Sequence, residues 1–212
     1  MQKKNKLFIW IPKTAGTSLF NLLKEQIGMI ELLDNGYKHF KNEGSVTFGH
    51  TNVGDLIRNK IITKKYWSEC YPFIVVRNPY SRFISLYNDF IRSKRIKPEI
   101  TPYQFAYSIK LNPQRPGLYN VLGLSQCSPQ VHWMLPGINV FRFERLQDYI
   151  EHHLMLNARL PHLNKETFKP WQEYYDTTLY KIVTEIYYAD LLLLDYPFIN
   201  SKEEENRTPE LF

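Results

Sequence analysis

Leu7-Phe8-Ile9-Trp10-Ile11-Pro12-Lys13-Thr14-Ala15-Gly16-Thr17-Ser18-Leu19-Phe20 decides the fold class. The continuous apolar run over residues 6–11 suits a parallel strand buried on both faces. Pro12 to Gly16 breaks it. Thr17 or Ser18 can then cap a helix whose apolar residues Leu19, Phe20, Leu22, Leu23 and Ile27 recur at helical spacing, and Gly28 stops it. The same alternation returns downstream. Strands are predicted at Ser45–Gly49, Phe73–Val76 and Ile138–Phe143, and a short helix at Asp55–Lys60. Asn78-Pro79 reads as an N-cap followed by proline at the first helical position, opening a helix to about Arg92 with Phe83, Leu86, Tyr87 and Phe90 on its packing face. Further helices are predicted near 103–110, 145–156 and 171–189, with a Pro/Gly-rich connection at Asn112–Gly117. Strands alternating with helices imply an α/β protein with a parallel sheet flanked by helices. A single domain is expected over residues 1–199, with a polar, fraying tail at 200–212.

Composition narrows the class. The chain has 212 residues, and 43% hydrophobic with 23% charged content excludes a disordered chain. Fifteen Tyr and 13 Phe predict an aromatic-rich core. The apolar stretch after Met1-Gln2-Lys3-Lys4-Asn5-Lys6 is too short for a signal peptide, and no run near either end approaches the ~20 residues of a membrane span. Cys70 and Cys127 cannot build a disulfide framework or a four-ligand zinc site. They read as free thiols in a reducing compartment, and a cytoplasmic location is expected. Residues 1–110 hold 18 Lys and Arg against 8 Asp and Glu, whereas residues 111–212 hold 9 against 13. The basic half implies an anionic partner, or else simply a lysine-rich solvated surface.

Ligands of open parallel sheets bind at the carboxyl ends of strands. Pro12–Ser18 follows the first strand, His50 the second and Arg77 the third. In the first segment, helix-start N–H groups, small residues, hydroxyls and a lysine make an anion cradle. It is not the G-x-x-x-x-G-K-[ST] loop, because the opening glycine is missing and the lysine leads the loop. The plain alternative is a strand–turn–helix with a surface lysine. In the second segment, Arg77-Asn78-Pro79-Tyr80-Ser81-Arg82-Phe83-Ile84-Ser85-Leu86-Tyr87, an arginine at a strand end can grip a phosphate bidentately, and Ser81 and Ser85 share a helix face. Its plain alternative pairs Arg82 with Asp89 or a neighbour at the surface and makes Ser85 a small packing residue.

Together the two segments resemble the sulfotransferase superfamily. Pro12 to Ser18 is similar to that family's loop for a 5′-phosphosulfate. Arg77, with Ser85 eight residues on, is similar to its 3′-phosphate motif. Gly49-His50, Phe143-Glu144-Arg145-Leu146, Leu160-Pro161-His162-Leu163-Asn164 and Tyr188-Ala189-Asp190 resemble the branch of heparan and chondroitin O-sulfotransferases. The resemblance implies a P-loop-type fold and the donor 3′-phosphoadenosine 5′-phosphosulfate (PAPS), held by Lys13, Thr14, Ala15, Gly16, Thr17, Ser18, Arg77 and Ser85. The acceptor is then a hydroxyl, expected on a glycan. The chain departs from the Golgi members of that branch in being short and without an anchor segment.

The chemistry of the residues agrees. A lysine and backbone donors stabilise negative charge on a leaving phosphate, so Lys13 is the expected catalytic cation and no metal is required. An alcohol acceptor needs a base, and an imidazole titrates near neutrality, which selects His50, with His132 second. His152 and His153 are consecutive on a helix and cannot share a metal. Arg92-Ser93-Lys94-Arg95-Ile96-Lys97 either complements a helix C-terminus or lines an acceptor cleft. Two rivals remain: a nucleotide-dependent phosphotransferase, which lacks an obvious Walker-B aspartate, and a basic nucleic-acid-binding module, which lacks a recognisable motif.

Overall fold

The computed structural model describes residues 4–112, 124–161 and 169–199. The expected tail, His162 and most of the 112–117 connection lie outside the described residues. In chain order the elements are β1 (Lys6–Ile9), α1 (Gly16–Ile27), β2 (Ile30–Glu31), β3 (Val46–Thr47), α2 (Val53–Arg58), α3 (Lys64–Glu69), β4 (Tyr71–Val76), α4 (Pro79–Arg92), α5 (Pro102–Leu111), β5 (Asn139–Arg142), α6 (Leu146–His152), α7 (Thr177–Ile186) and α8 (Tyr188–Leu193). They form two compact units. Of the described residues, 4–76, 124 and 133–161 make the first, and 77–112, 125–132 and 169–199 the second.

The first unit holds a five-stranded sheet of order β2-β3-β1-β4-β5, parallel at every pairing. The α/β class expected from the sequence is the one observed. Phe8, Phe73, Val75 and Phe141 from the strands meet Leu19, Leu22 and Leu23 of α1 and Leu146 and Ile150 of α6 in one core. The opposite side chains of β1 and β4, Leu7, Ile9, Ile74 and Val76, are buried too. That burial on both faces is why these strands read as unbroken apolar runs rather than alternating ones. β2 is only two exposed residues and carries no such pattern. α3, also unforeseen, is opened by Thr63, whose hydroxyl accepts from Tyr66 N–H at 3.1 Å.

The second unit is helical. Asn78 caps α4 through its Oδ1, which accepts from the N–H groups of Tyr80 (2.9 Å) and Ser81 (3.2 Å), with Pro79 at the first position as expected. Phe105 of α5 packs on Phe83, Tyr87 and Phe90 of α4, with ring centroids 5.2–5.9 Å apart. Tyr175 stacks on Tyr180 at 4.4 Å, and its hydroxyl donates to the Tyr80 carbonyl at 2.9 Å. Burying each such ring contributes on the order of 2–3 kcal/mol. The helix expected over 171–189 is divided. A 3-10 turn covers Trp171–Tyr174, Asp176 caps α7, and Tyr187 separates α7 from α8.

Candidate functional site

The first unit carries the loop after β1. Lys13 and Ala15 both have φ of +66°, left-handed backbone that costs a non-glycine residue about 1 kcal/mol or more. This tight path starts α1 at Gly16, ahead of the hydroxyl residues. The expected cap by Thr17 or Ser18 is therefore corrected: the N-cap is Ala15, and no side chain caps the helix. Thr14 is fully buried, and its hydroxyl donates to the Ile11 carbonyl at 2.9 Å, which braces the loop. A left-handed Ala15 followed by helical residues makes successive N–H groups converge. The first-turn N–H groups of Gly16, Thr17 and Ser18 lie beyond any intrahelical acceptor. Lys13 is half-buried beside them in sequence, Thr17 is exposed and Ser18 buried. The result is a cationic, donor-rich helix start suited to an anion.

His50 belongs to the same unit and follows β3 through Gly49, whose φ of +56° favours glycine. Its Nδ1 lies 2.9 Å from the Trp10 carbonyl. A carbonyl only accepts, so Nδ1 carries the proton and the lone pair of the neutral ring is on Nε2. Trp10 also packs edge-on against the His50 ring at 5.3 Å and stacks on Phe8 and Phe20. Its indole fills the space over Gly16, where a Cβ would lie 1.7 Å from Nε1. Glycine at position 16 is thus needed for close approach. We expect Gly16→Ala to force the wedged indole aside at a cost of about 1–3 kcal/mol. Thermal melting should report a midpoint several degrees lower, and an unchanged midpoint would show that Trp10 has room to swing.

The second unit carries Arg77, the residue after β4. Its Nε donates to Ser81 Oγ at 2.9 Å, and Ser81 Oγ donates in turn to the Asn78 carbonyl at 3.2 Å. Ser81 therefore orients the arginine. Among the described residues nothing hydrogen-bonds to the half-buried Ser85 hydroxyl, one helical turn further along α4. A model of the sulfotransferase family matches residues 1–116, a span that includes both the loop after β1 and the segment Arg77–Ser85. The chain belongs to the sulfotransferase family. No curated protein matches it.

Several residues of this sulfotransferase have roles that sequence reading did not assign. Arg82 is not a surface ion-pair partner of Asp89. It is 1% exposed, and its guanidinium donates to the carbonyls of Gln126 (2.7 Å) and Ser128 (3.2 Å) and lies 5.8 Å from the Tyr187 ring centroid. Asp89 instead pairs with Arg92 and Arg95. Arg95 also donates to Gln126 Oε1 at 2.6 Å and lies over the Phe90 ring, so its part in the basic run is structural. Arg92, Lys94 and Lys97 are the exposed cations of that run. Asp190 is fully buried. Burial pushes its carboxyl up from the ordinary value, while the Arg82 charge and the N–H donors of residues 130 and 131 pull it down. An aspartate inside Tyr188-Ala189-Asp190-Leu191-Leu192-Leu193 was the signal available for it.

His132 is exposed on a 3-10 turn, and His153 packs on Phe141 and Tyr149. Both cysteines are reduced and buried, their thiols pushed up by burial to about 11 for Cys70 and about 12 for Cys127, which leaves them poor nucleophiles. Among the described residues no cluster of His, Cys, Asp and Glu is arranged to hold a metal ion, and no helix is long and apolar enough to cross a membrane.

Proposed function

We propose that this sulfotransferase moves the sulfuryl group of PAPS onto a hydroxyl of a carbohydrate acceptor. The observation that carries the donor reading is the start of α1: a helix N-terminus with no side-chain cap, reached through a strained loop that bears Lys13, in a chain of this family. PAPS supplies a sulfuryl group activated by its link to phosphate. The N–H groups of Gly16, Thr17 and Ser18, with the Lys13 ammonium and the Thr17 hydroxyl, hold the 5′ end. Thr14 and Ala15 shape the loop that presents them. Arg77 and Ser85 hold the 3′-phosphate. Since Arg77 Nε is engaged by Ser81, its bidentate grip uses the Nη1/Nη2 edge.

Lys13 offsets the charge that gathers on the leaving phosphate oxygen as its bond to sulfur breaks. His50 Nε2 accepts the hydroxyl proton as the acceptor oxygen bonds to sulfur. The products are a sulfate ester and 3′-phosphoadenosine 5′-phosphate (PAP). The carbohydrate reading draws on the positive charge of residues 1–110, which attracts acidic sugars.

Thermal shift tests the donor reading. PAPS and PAP at about a hundred times their Kd should each stabilise the fold by about 2.7 kcal/mol. AMP, lacking the 3′-phosphate, should do much less at the same concentration. Equal shifts from AMP and PAP would contradict a dedicated 3′-phosphate contact.

A further inference from the structure

Arg77 continues the chain past the last residue of β4. An ordinary strand end would leave its backbone N–H and C=O to water. Here the Gln130 carboxamide takes both. Arg77 N–H donates to Gln130 Oε1 at 2.8 Å, and Gln130 Nε2 donates to the Arg77 carbonyl at 2.9 Å. Gln130 is fully buried, so this two-point grip is shielded from competing water.

The carboxamide is itself held. Asp190 of α8 accepts at Oδ2 from Gln130 N–H (2.8 Å) and Gln130 Nε2 (3.3 Å), and at Oδ1 from Val131 N–H (2.9 Å). Three converging donors require an acceptor-only group, which a carboxylate is and a carboxamide is not. A continuous chain of contacts therefore runs from Asp190 through Gln130 to the Arg77 backbone. It ends at the guanidinium, whose Nε is set by Ser81. Neither Asp190 nor Gln130 needs to touch a ligand for the arrangement to matter. Fixing the backbone dihedrals and one guanidinium edge removes most of the rotamer freedom that an arginine would otherwise lose on binding.

We propose that Asp190 and Gln130 are positioning residues that aim Arg77 and thereby set the preference for a 3′-phosphorylated nucleotide. The proposal rests on the reading of Arg77 as the 3′-phosphate contact. It makes selectivity a property of a buried amide clamp as well as of the arginine.

Calorimetric Kd values for PAP and AMP test it in the wild type, Arg77→Ala, Gln130→Met, Gln130→Ala and the double variant Arg77→Ala/Gln130→Met. Methionine keeps the volume and removes both the accepting oxygen and the donating nitrogen of the amide. Alanine leaves room for water to meet the groups they abandon. Either Gln130 change should cut the PAP-over-AMP preference by about tenfold through weaker PAP binding, with AMP affinity unchanged. In the Arg77→Ala background, Gln130→Met should change the preference no further. If Arg77→Ala retained the wild-type preference, the reading of Arg77 would fail whatever Gln130 did. If Arg77→Ala lost it and both Gln130 variants kept it, the positioning claim alone would fail. Equal weakening of PAP and AMP, or failure of both Gln130 variants to fold, would make the clamp a general requirement of the structure and overturn its role as a selector.

Discussion

Lys13→Ala is expected to lower turnover at saturating PAPS by about 10²–10³-fold, with a much smaller change in donor Kd. The asymmetry follows from where charge appears. On the proposed reading the donor's phosphate is already anionic in the ground state, and the first-turn N–H groups of α1 would bind it with or without the lysine. Additional charge develops on the leaving oxygen only as its bond to sulfur stretches, and Lys13 is the cation nearest that helix start in sequence. The backbone at Lys13 is held at φ +66°, so the chain bears strain at the residue proposed to act. Alanine at 13 must take the same left-handed path, which makes melting temperature a necessary control. Single-turnover rates and PAP affinity separate the two effects. A variant with wild-type turnover and only weakened donor binding would remove Lys13 from the chemistry.

The second large effect is expected at His50. His50→Ala should slow turnover by roughly 10²–10⁴-fold while PAP affinity stays near wild type. His50→Gln should be nearly as slow, because it can donate a hydrogen bond but cannot take the proton. The Trp10 carbonyl fixes the Nδ1–H tautomer, so the basic lone pair is on Nε2. Only the neutral imidazole has that lone pair. The wild-type rate should therefore fall toward acid pH as the ring is protonated, and that acid limb should vanish in His50→Gln. His132→Ala, which alters an exposed turn, should leave the rate near wild type. The reverse outcome, a fast His50→Ala and a slow His132→Ala, would transfer the role.

β1 and the start of α4 were legible because their signals are local. An apolar run between polar residues specifies a buried strand, and Asn78-Pro79 combines a cap with a fixed φ. The strand–loop–helix order around Lys13 was legible for the same reason. The start of α1 lies two or three residues ahead of the hydroxyl cap that the sequence suggests, because a left-handed alanine is not something a sequence advertises, whereas a hydroxyl cap is. β2 escaped because two exposed residues carry no periodicity. The residues around Arg77 escaped for a different reason. Arg82 meets carbonyls 44 and 46 residues away, and Gln130 meets a carboxylate 60 residues away. A charged residue on an amphipathic helix reads as solvated until the partner that justifies its burial is known. Asp190 inside a leucine-rich run was the one visible hint of such a partner.

Sulfuryl transfer from PAPS to an acceptor hydroxyl is the reaction that the proposed roles of Lys13 and His50 require. Mass spectrometry of the protein incubated with PAPS and a panel of glycans and simple alcohols, with Lys13→Ala in parallel, reads it out. The expected result is a sulfated acceptor formed with an equal amount of PAP by the wild type and nearly none by Lys13→Ala. PAPS left intact with every acceptor, alongside phosphorylated product from ATP and Mg²⁺, would contradict it.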